Sequence, residues 1–174
     1  GNSVHGNADY AKWLGISKDC VSLTRNGVDF SIIKRPNEKE VDKIKLDLGL
    51  CESDSVICGI FRFSPEKRPL FFLDVIFELK HKVPNLKVIM VGEGPLDTDV
   101  KWKIRDLGLE NIVTQVGRKN NVAAIMSISK LLLHTSYLEG TPNVVLEAQF
   151  LGIPVVATKG GGTIEAVQDG VSGY

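Results

Sequence analysis

Six short apolar runs punctuate the chain: VSLT (21–24), SVICGIF (55–61), LKVIMV (86–91), NIVTQV (111–116), KLLLHT (130–135) and PVVAT (154–158). They are rich in β-branched residues, and the middle ones are apolar almost throughout, the pattern of strands covered on both faces. The stretches between them carry helical spacing. RPLFFLDVIFELKHK (68–82) sets Leu70, Leu73, Ile76, Phe77 and Lys80 three and four apart, and VKWKIRDLGL (100–109) and NNVAAIMSIS (120–129) behave in the same way. Strand alternating with helix over this length predicts an α/β fold, a Rossmann-like doubly wound parallel sheet of about six strands with helices on both faces.

Composition narrows the picture. A chain of 174 residues that is 43% hydrophobic can bury one good core and is too short for two ordinary domains. Residues 21–174 are therefore expected to form a single domain, and residues 1–20 a linker or helix remnant. Lys plus Arg and Asp plus Glu both number 21, with no long like-charge block, which argues against a nucleic-acid platform. Cys20, Cys51 and Cys58 show no CxxC spacing and read as reduced thiols of a cytoplasmic protein. No apolar run approaches the roughly 18 to 20 residues that span a bilayer. The chain opens in a polar stretch and stops at DGVSGY, where a further element is expected, so it reads as a piece of a larger protein.

An open parallel sheet binds ligands where the chain leaves the carboxyl ends of its strands. The loops that follow the strands are RFSPEKRP, GEGPLDTD, GRKN, SYLEGTPN and KGGGTIE, and they hold much of the glycine and the most unusual charges. Arg62 and Lys67, five residues apart around Pro65, can converge on one pyrophosphate, Arg as a fork and Lys as a point charge. GEGP (92–95) lacks the third glycine of a dinucleotide fingerprint and fits a tight strand-to-helix turn at least as well as a ligand contact. Asp97 and Asp99 could hold a divalent cation, but their place at a helix start favours capping it and a charge against the helix dipole, and no metal is expected. His134 ends a strand and reads as a satisfied, half-buried histidine that lines the cleft at most.

Thr141, Pro142 and Asn143 signal the start of a helix that runs through VVLEAQFL and ends at Gly152. Its free amides would face the strand-end rim, a natural phosphate seat. Glu147, one turn in, can accept two hydrogen bonds from a ribose diol, and Glu139 would sit beyond the phosphates, near whatever the nucleotide carries. The bland alternative pairs Glu139 with a neighbouring cation and sets Glu147 against the helix dipole.

These residues also carry a resemblance. EGTPNVVLE, two glutamates separated by seven residues, followed by GIPVVAT and GGTIE, resembles the donor-binding half of retaining glycosyltransferases of family 4, which have the two-domain GT-B fold. NGVD (26–29), FRFSPEK (61–67), VGEGPL (91–96) and VGR (116–118) fall in the same order as in that family. The resemblance implies that Arg62 and Lys67 hold the donor diphosphate and that Glu139, the catalytic candidate, contacts the sugar hydroxyls. It implies further that Gly140, Thr141, Asn143 and Val144 seat phosphate oxygens and that Glu147 holds the ribose. Gly92 and Gly94 would edge the nucleotide pocket, Arg118 would lie beside the base, and Gly161, Gly162 and Glu165 would close the rim.

Phe61 stands where the family usually has glycine and is expected to narrow the space beside the phosphates. The nucleotide-sugar is a substrate, so no cofactor is implied. A glycan or lipid-linked acceptor would be held by a preceding domain absent from this chain, which alone would be inactive; the whole protein would be cytoplasmic or peripheral at the membrane. Two other readings stay open: a domain of a GT-B-like epimerase or phosphorylase, and a non-catalytic nucleotide-binding module.

Overall fold

The computed structural model describes all residues, 1–174, and contains a five-stranded, wholly parallel sheet in the order β3-β2-β1-β4-β5. The strands are β1 (Ser55–Ile60), β2 (Leu86–Val91), β3 (Val113–Gln115), β4 (Leu131–His134) and β5 (Val155–Ala157). The helices are α1 (Val4–Leu14), α2 (Glu38–Asp47), α3 (Pro69–Leu79), α4 (Asp97–Asp106), α5 (Ala123–Ser127), α6 (Asn143–Phe150) and α7 (Thr163–Ala166).

The two faces of the sheet are read directly from alternation. Ile57 of β1 and Leu86, Val88 and Met90 of β2 turn to one side, where Phe72, Leu73 and Ile76 of α3 and Val100 and Ile104 of α4 cover them. Val56 and Cys58 of β1, Ile89 and Val91 of β2, Leu132 and Val155 turn to the other, under α5 and α6, with Ile44 of α2 packed alongside. A parallel sheet leaves neither face to water, which is why the central strands β1, β2 and β4 are apolar apart from Ser55, Lys87 and His134. In this setting burial pushes the Cys58 thiol up to about 12, so it stays protonated and serves as core.

Five strands form, not six. The VSLT run lies outside the sheet: Thr24 N–H donates to the carbonyl of Gly1 (2.8 Å) and the amino group of Gly1 to that of Ser22 (3.0 Å). Its short alternation buries too little to draw it into the sheet, and Leu23 stays exposed. Residues 4–14 are instead a full helix, capped by the Ser3 hydroxyl on Gly6 N–H and closed by Gly15 in the left-handed region. The helix α2 has its own local signal, a capping box in which Asn37 and Glu40 satisfy each other's amides.

Phe61 corrects another expectation. Its ring is buried and meets Phe72 edge-on at 5.4 Å, with Phe63 at 6.0 Å, so the core beneath α3 takes it up instead of the cleft. The ring of Phe72 is fully buried between this aromatic pair and the sheet. Truncating it in Phe72→Ala should cost about 3–5 kcal/mol, read as a lower urea midpoint with an unchanged slope.

Candidate functional site

The strand order reverses between β1 and β4, which are neighbours in the sheet with Ile57 opposite Leu131 and Cys58 opposite Leu132. Such a reversal opens a crevice at the carboxyl ends of the two strands. Backbone and hydroxyl contacts stitch the two exit loops together. Tyr137 N–H and the Ser136 hydroxyl both donate to the carbonyl of Glu66 (3.0 and 2.9 Å), and the Thr135 hydroxyl donates to that of Lys67 (3.1 Å).

This stitching brings Lys67, from the β1 exit, to Glu139, from the β4 exit, with Nζ 2.5 Å from Oε1. The Glu139 side chain is 9% exposed and that of Lys67 24%. His134, the last residue of β4, places Nε2 3.0 Å from the same Oε1, out of line for a straight hydrogen bond. Burial alone would raise the Glu139 carboxyl, but His134 and Lys67 outweigh it and hold it at about 2, against an ordinary 4.5. His134 is 1% exposed, far more deeply buried than its sequence position suggests, and its Nδ1 has no partner.

Beyond Glu139 the chain turns through Gly140, Thr141 and Pro142 into α6, which starts at Asn143 with no side-chain cap. The Thr141 hydroxyl donates to the carbonyl of Asn2 (2.7 Å) instead of capping the helix. The amides of Gly140, Asn143 and Val144 donate to no group of the protein. Three free N–H groups at a helix N-terminus, directly after Glu139 in the chain, are donors of the kind that can seat an anion. Glu147 follows one turn later, half-buried and without a partner, and burial raises its carboxyl above the ordinary value. It pairs with no cation, unlike Glu139.

A second group of predicted residues gathers on the β2 and β3 side. Arg62, Gly92, Glu93, Gly94, Asp97 and Arg118 line a cleft of about 560 Å³ without one apolar side chain. Arg62 and Arg118 are exposed, and the Arg118 amide donates to Glu93 (3.2 Å). Gly92 has φ +136°, and a Cβ there would lie 1.9 Å from the Phe61 carbonyl oxygen, so glycine is required by backbone packing whatever binds nearby. Gly94 packs against Phe63 in the same way. Asp97 and Asp99 stand in the first turn of α4 and do not cap it: the cap position is Leu96, no side chain bonds the free amides, and Asp97 accepts a long bond from Gly94 N–H (3.4 Å).

Gly161 and Gly162 approach the backbone of Glu139 and Gly140, and Gly162 N–H donates to the Glu139 carbonyl (2.9 Å). Glu165 holds the start of α1. It accepts the amides of Val4 and His5 and the His5 ring nitrogen (each 3.1 Å), and the Arg25 guanidinium lies 2.5 Å away. Burial would raise its carboxyl, but the amides of His5 and Val4, the His5 ring and Arg25 together hold it at about 2. Sequence reasoning passed over this N-terminal wall. Asn2 donates to Asn26, which in turn donates to Asn143 (2.7 Å) and to the Thr141 carbonyl (3.1 Å). Asn26 belongs to NGVD, and that motif was the available signal. A cleft of about 590 Å³ lies between this segment and Glu139–Gly140. The cleft between β5 and α7, about 410 Å³, holds none of the predicted residues. Nowhere in the chain do three or more His, Cys, Asp or Glu side chains cluster as metal ligands.

The rim thus offers placed cations, free amides and two contrasting carboxylates on a Rossmann-like sheet, the class of site that receives a nucleotide. Residues 40–174 match the family of glycosyl transferases group 1, and the chain belongs to it. It is 29% identical over 95% of its length to the Vi polysaccharide biosynthesis protein VipC/TviE of Salmonella typhi, covering 29% of that protein. With the UDP-Gal:alpha-D-GlcNAc-diphosphoundecaprenol alpha-1,3-galactosyltransferase of Escherichia coli it shares 29% identity over 88% of this chain and 40% of the other. Among solved structures, Anabaena Alr3699/HepE in complex with UDP-glucose superposes with a TM-score of 0.88 at 28% identity, over 99% of this chain and 48% of that one. The chain therefore spans less than half the length of these relatives. The relatives are glycosyltransferases and proteins of polysaccharide biosynthesis; neither an epimerase nor a phosphorylase reading is favoured. No helix is long and apolar enough to cross a membrane.

The charge state of Glu139 yields a pH test. Its folded carboxyl lies below the ordinary 4.5, so the stability it contributes is present above 4.5 and is lost as pH falls toward about 2. In urea unfolding across that window, Glu139→Gln should flatten the dependence of stability on pH by up to about one proton. Glu165 titrates in the same range, and Asp29 and Glu66, held below their ordinary values by serine hydrogen bonds, add to the slope that remains.

Proposed function

We propose that this chain is the donor-binding half of a retaining, family 4 glycosyltransferase, which takes a sugar from a nucleotide-sugar and passes it to a glycan or lipid-linked acceptor. The observation that carries the reading is the meeting of Lys67, Glu139 and the free amides of Gly140, Asn143 and Val144 at the strand-order reversal. The Anabaena neighbour was crystallised with UDP and with UDP-glucose, and the Escherichia coli relative is named for a UDP-sugar donor and a diphosphoundecaprenol acceptor.

Each residue has a physical task. Arg62 and Lys67 take the diphosphate oxygens, with the amides at the start of α6 as neutral donors. Glu147 is a half-buried carboxylate without a partner, suited to a ribose diol whose two hydroxyls would supply the missing donors. Glu139, anchored through one oxygen, offers the other to the hydroxyls of the sugar. Arg118 borders the base side of the cleft.

In the transfer the anomeric C–O bond to the diphosphate breaks and one to the acceptor oxygen forms, while the acceptor proton leaves with the diphosphate. The negative charge that grows on the leaving group is the main electrostatic demand. Lys67, Arg62 and the helix end meet it without a metal. The acceptor is held by an N-terminal domain outside this chain, so the chain alone binds donor and transfers nothing, and the whole protein works in the cytoplasm at the membrane periphery.

Calorimetric titration with UDP, GDP and ADP, with and without Mg²⁺, tests the reading. One nucleotide should bind without metal, and Lys67→Ala and Glu147→Ala should each weaken it about tenfold or more. A well-folded protein that binds none of the three would sink the proposal.

A further inference from the structure

Glu139 is held by two groups through a single oxygen. Lys67 Nζ and His134 Nε2 both lie against Oε1, and no hydrogen bond or ion pair of the protein reaches Oε2. A diphosphate bound at the neighbouring amides would draw on Lys67, whose ammonium has three donors and no fixed direction. Its hold on Glu139 would then be shared at the moment when the carboxylate has to be aimed at the sugar. His134 has no such competing partner. It is 1% exposed, it is the last residue of β4, and its carbonyl is fixed by Thr158 N–H at 2.9 Å.

The ring geometry completes the argument. A neutral imidazole that donates from Nε2 leaves Nδ1 as a bare acceptor, and Nδ1 is buried without a partner. The Nε2 to Oε1 distance of 3.0 Å is that of a hydrogen bond, but the direction is off line. Hydrogen bonds in active sites are often misaligned without ligand and straighten when it binds.

Resting on the donor-site reading above, we propose that His134 is a positioning residue that fixes the Glu139 carboxylate in the donor-bound state, leaving Oε2 free for a sugar hydroxyl while Lys67 turns toward the diphosphate. The role is one of orientation: His134 contacts Glu139 and no reacting atom. It predicts that His134 matters for the sugar and not for the nucleotide, whereas Lys67 matters for both.

Two measurements on His134→Leu, His134→Gln and the unaltered chain test this. The first is carbon-detected NMR titration of the Glu139 carboxyl, which requires no ligand. The second is calorimetry with UDP and with UDP-glucose, at matched thermal stability. In His134→Leu the carboxyl should titrate above about 2, UDP affinity should stay within about twofold, and the preference for UDP-glucose over UDP should fall about tenfold, the effect of losing one hydrogen bond to a charged group. His134→Gln, which returns a donor near the Nε2 position, should restore most of the preference. An unmoved Glu139 titration, an unchanged preference, or an equal loss of both ligands in the leucine variant would each overturn the positioning role. If the titration moves but the unaltered chain binds neither ligand, the donor reading fails and takes the sugar-positioning role with it, while the contact itself survives.

Discussion

Lys67 leaves the sheet after β1 and Glu139 after β4, and these strands are neighbours because the strand order reverses between them. Residues 72 positions apart in the chain thereby come within 2.5 Å. The reversal also explains why this corner of the sheet is not filled by a crossover: the chain departs from β1 toward the α3 face and from β4 toward the α6 face, and the two exits part around a crevice. Ser136 and Thr135 then bind the Glu66–Lys67 backbone and set how far it opens. The core supports this from below, since Phe61 and Phe63 anchor the β1 exit among buried aromatics.

Three glutamates on or near the rim meet three different fates, and the difference lies in their partners. Glu139 is nearly buried but faces a lysine and a histidine, so it stays charged. Glu165 faces two amides at the start of α1 together with His5 and Arg25, so it is equally acidic yet has no capacity left for a ligand. Glu147 faces nothing, and burial raises it. A half-buried carboxylate without a partner is unfavourable in the free protein. A ligand with hydroxyl donors would recover that cost, whereas Glu139 and Glu165 already recover it from partners within the protein.

The sheet was legible because both faces are covered: β1, β2 and β4 read as unbroken apolar runs, and α3 and α4 follow at helical spacing. VSLT misleads because four residues of alternation do not say whether a sheet edge is available, and its backbone partners lie at Gly1. The α2 capping box, Asn37 with Glu40, stands in the sequence as N-E-K-E, in a polar segment that the apolar pattern alone does not mark. Within the rim, spacing singled out Lys67, Glu139 and Glu147, which lie on loops and a helix start flanked by clear strands. His134 was the harder residue. Its burial depends on α6 and the β5 exit closing over β4, and a lone histidine at a strand end carries no mark of that.

Glycine shows a similar limit. Gly92 looks like a place where backbone approaches a ligand, and its positive φ agrees, but the atom it makes room for is the Phe61 carbonyl oxygen. The same is true of Gly94 against Phe63 and of Gly161 and Gly162 against the Glu139–Gly140 backbone. In each case the absent side chain lets two strand-end loops touch, and that touch holds Arg62 beside Arg118, and Glu139 beside Lys67. The glycines therefore shape the rim at one remove. They bring the loops that carry the charges and the free amides close together.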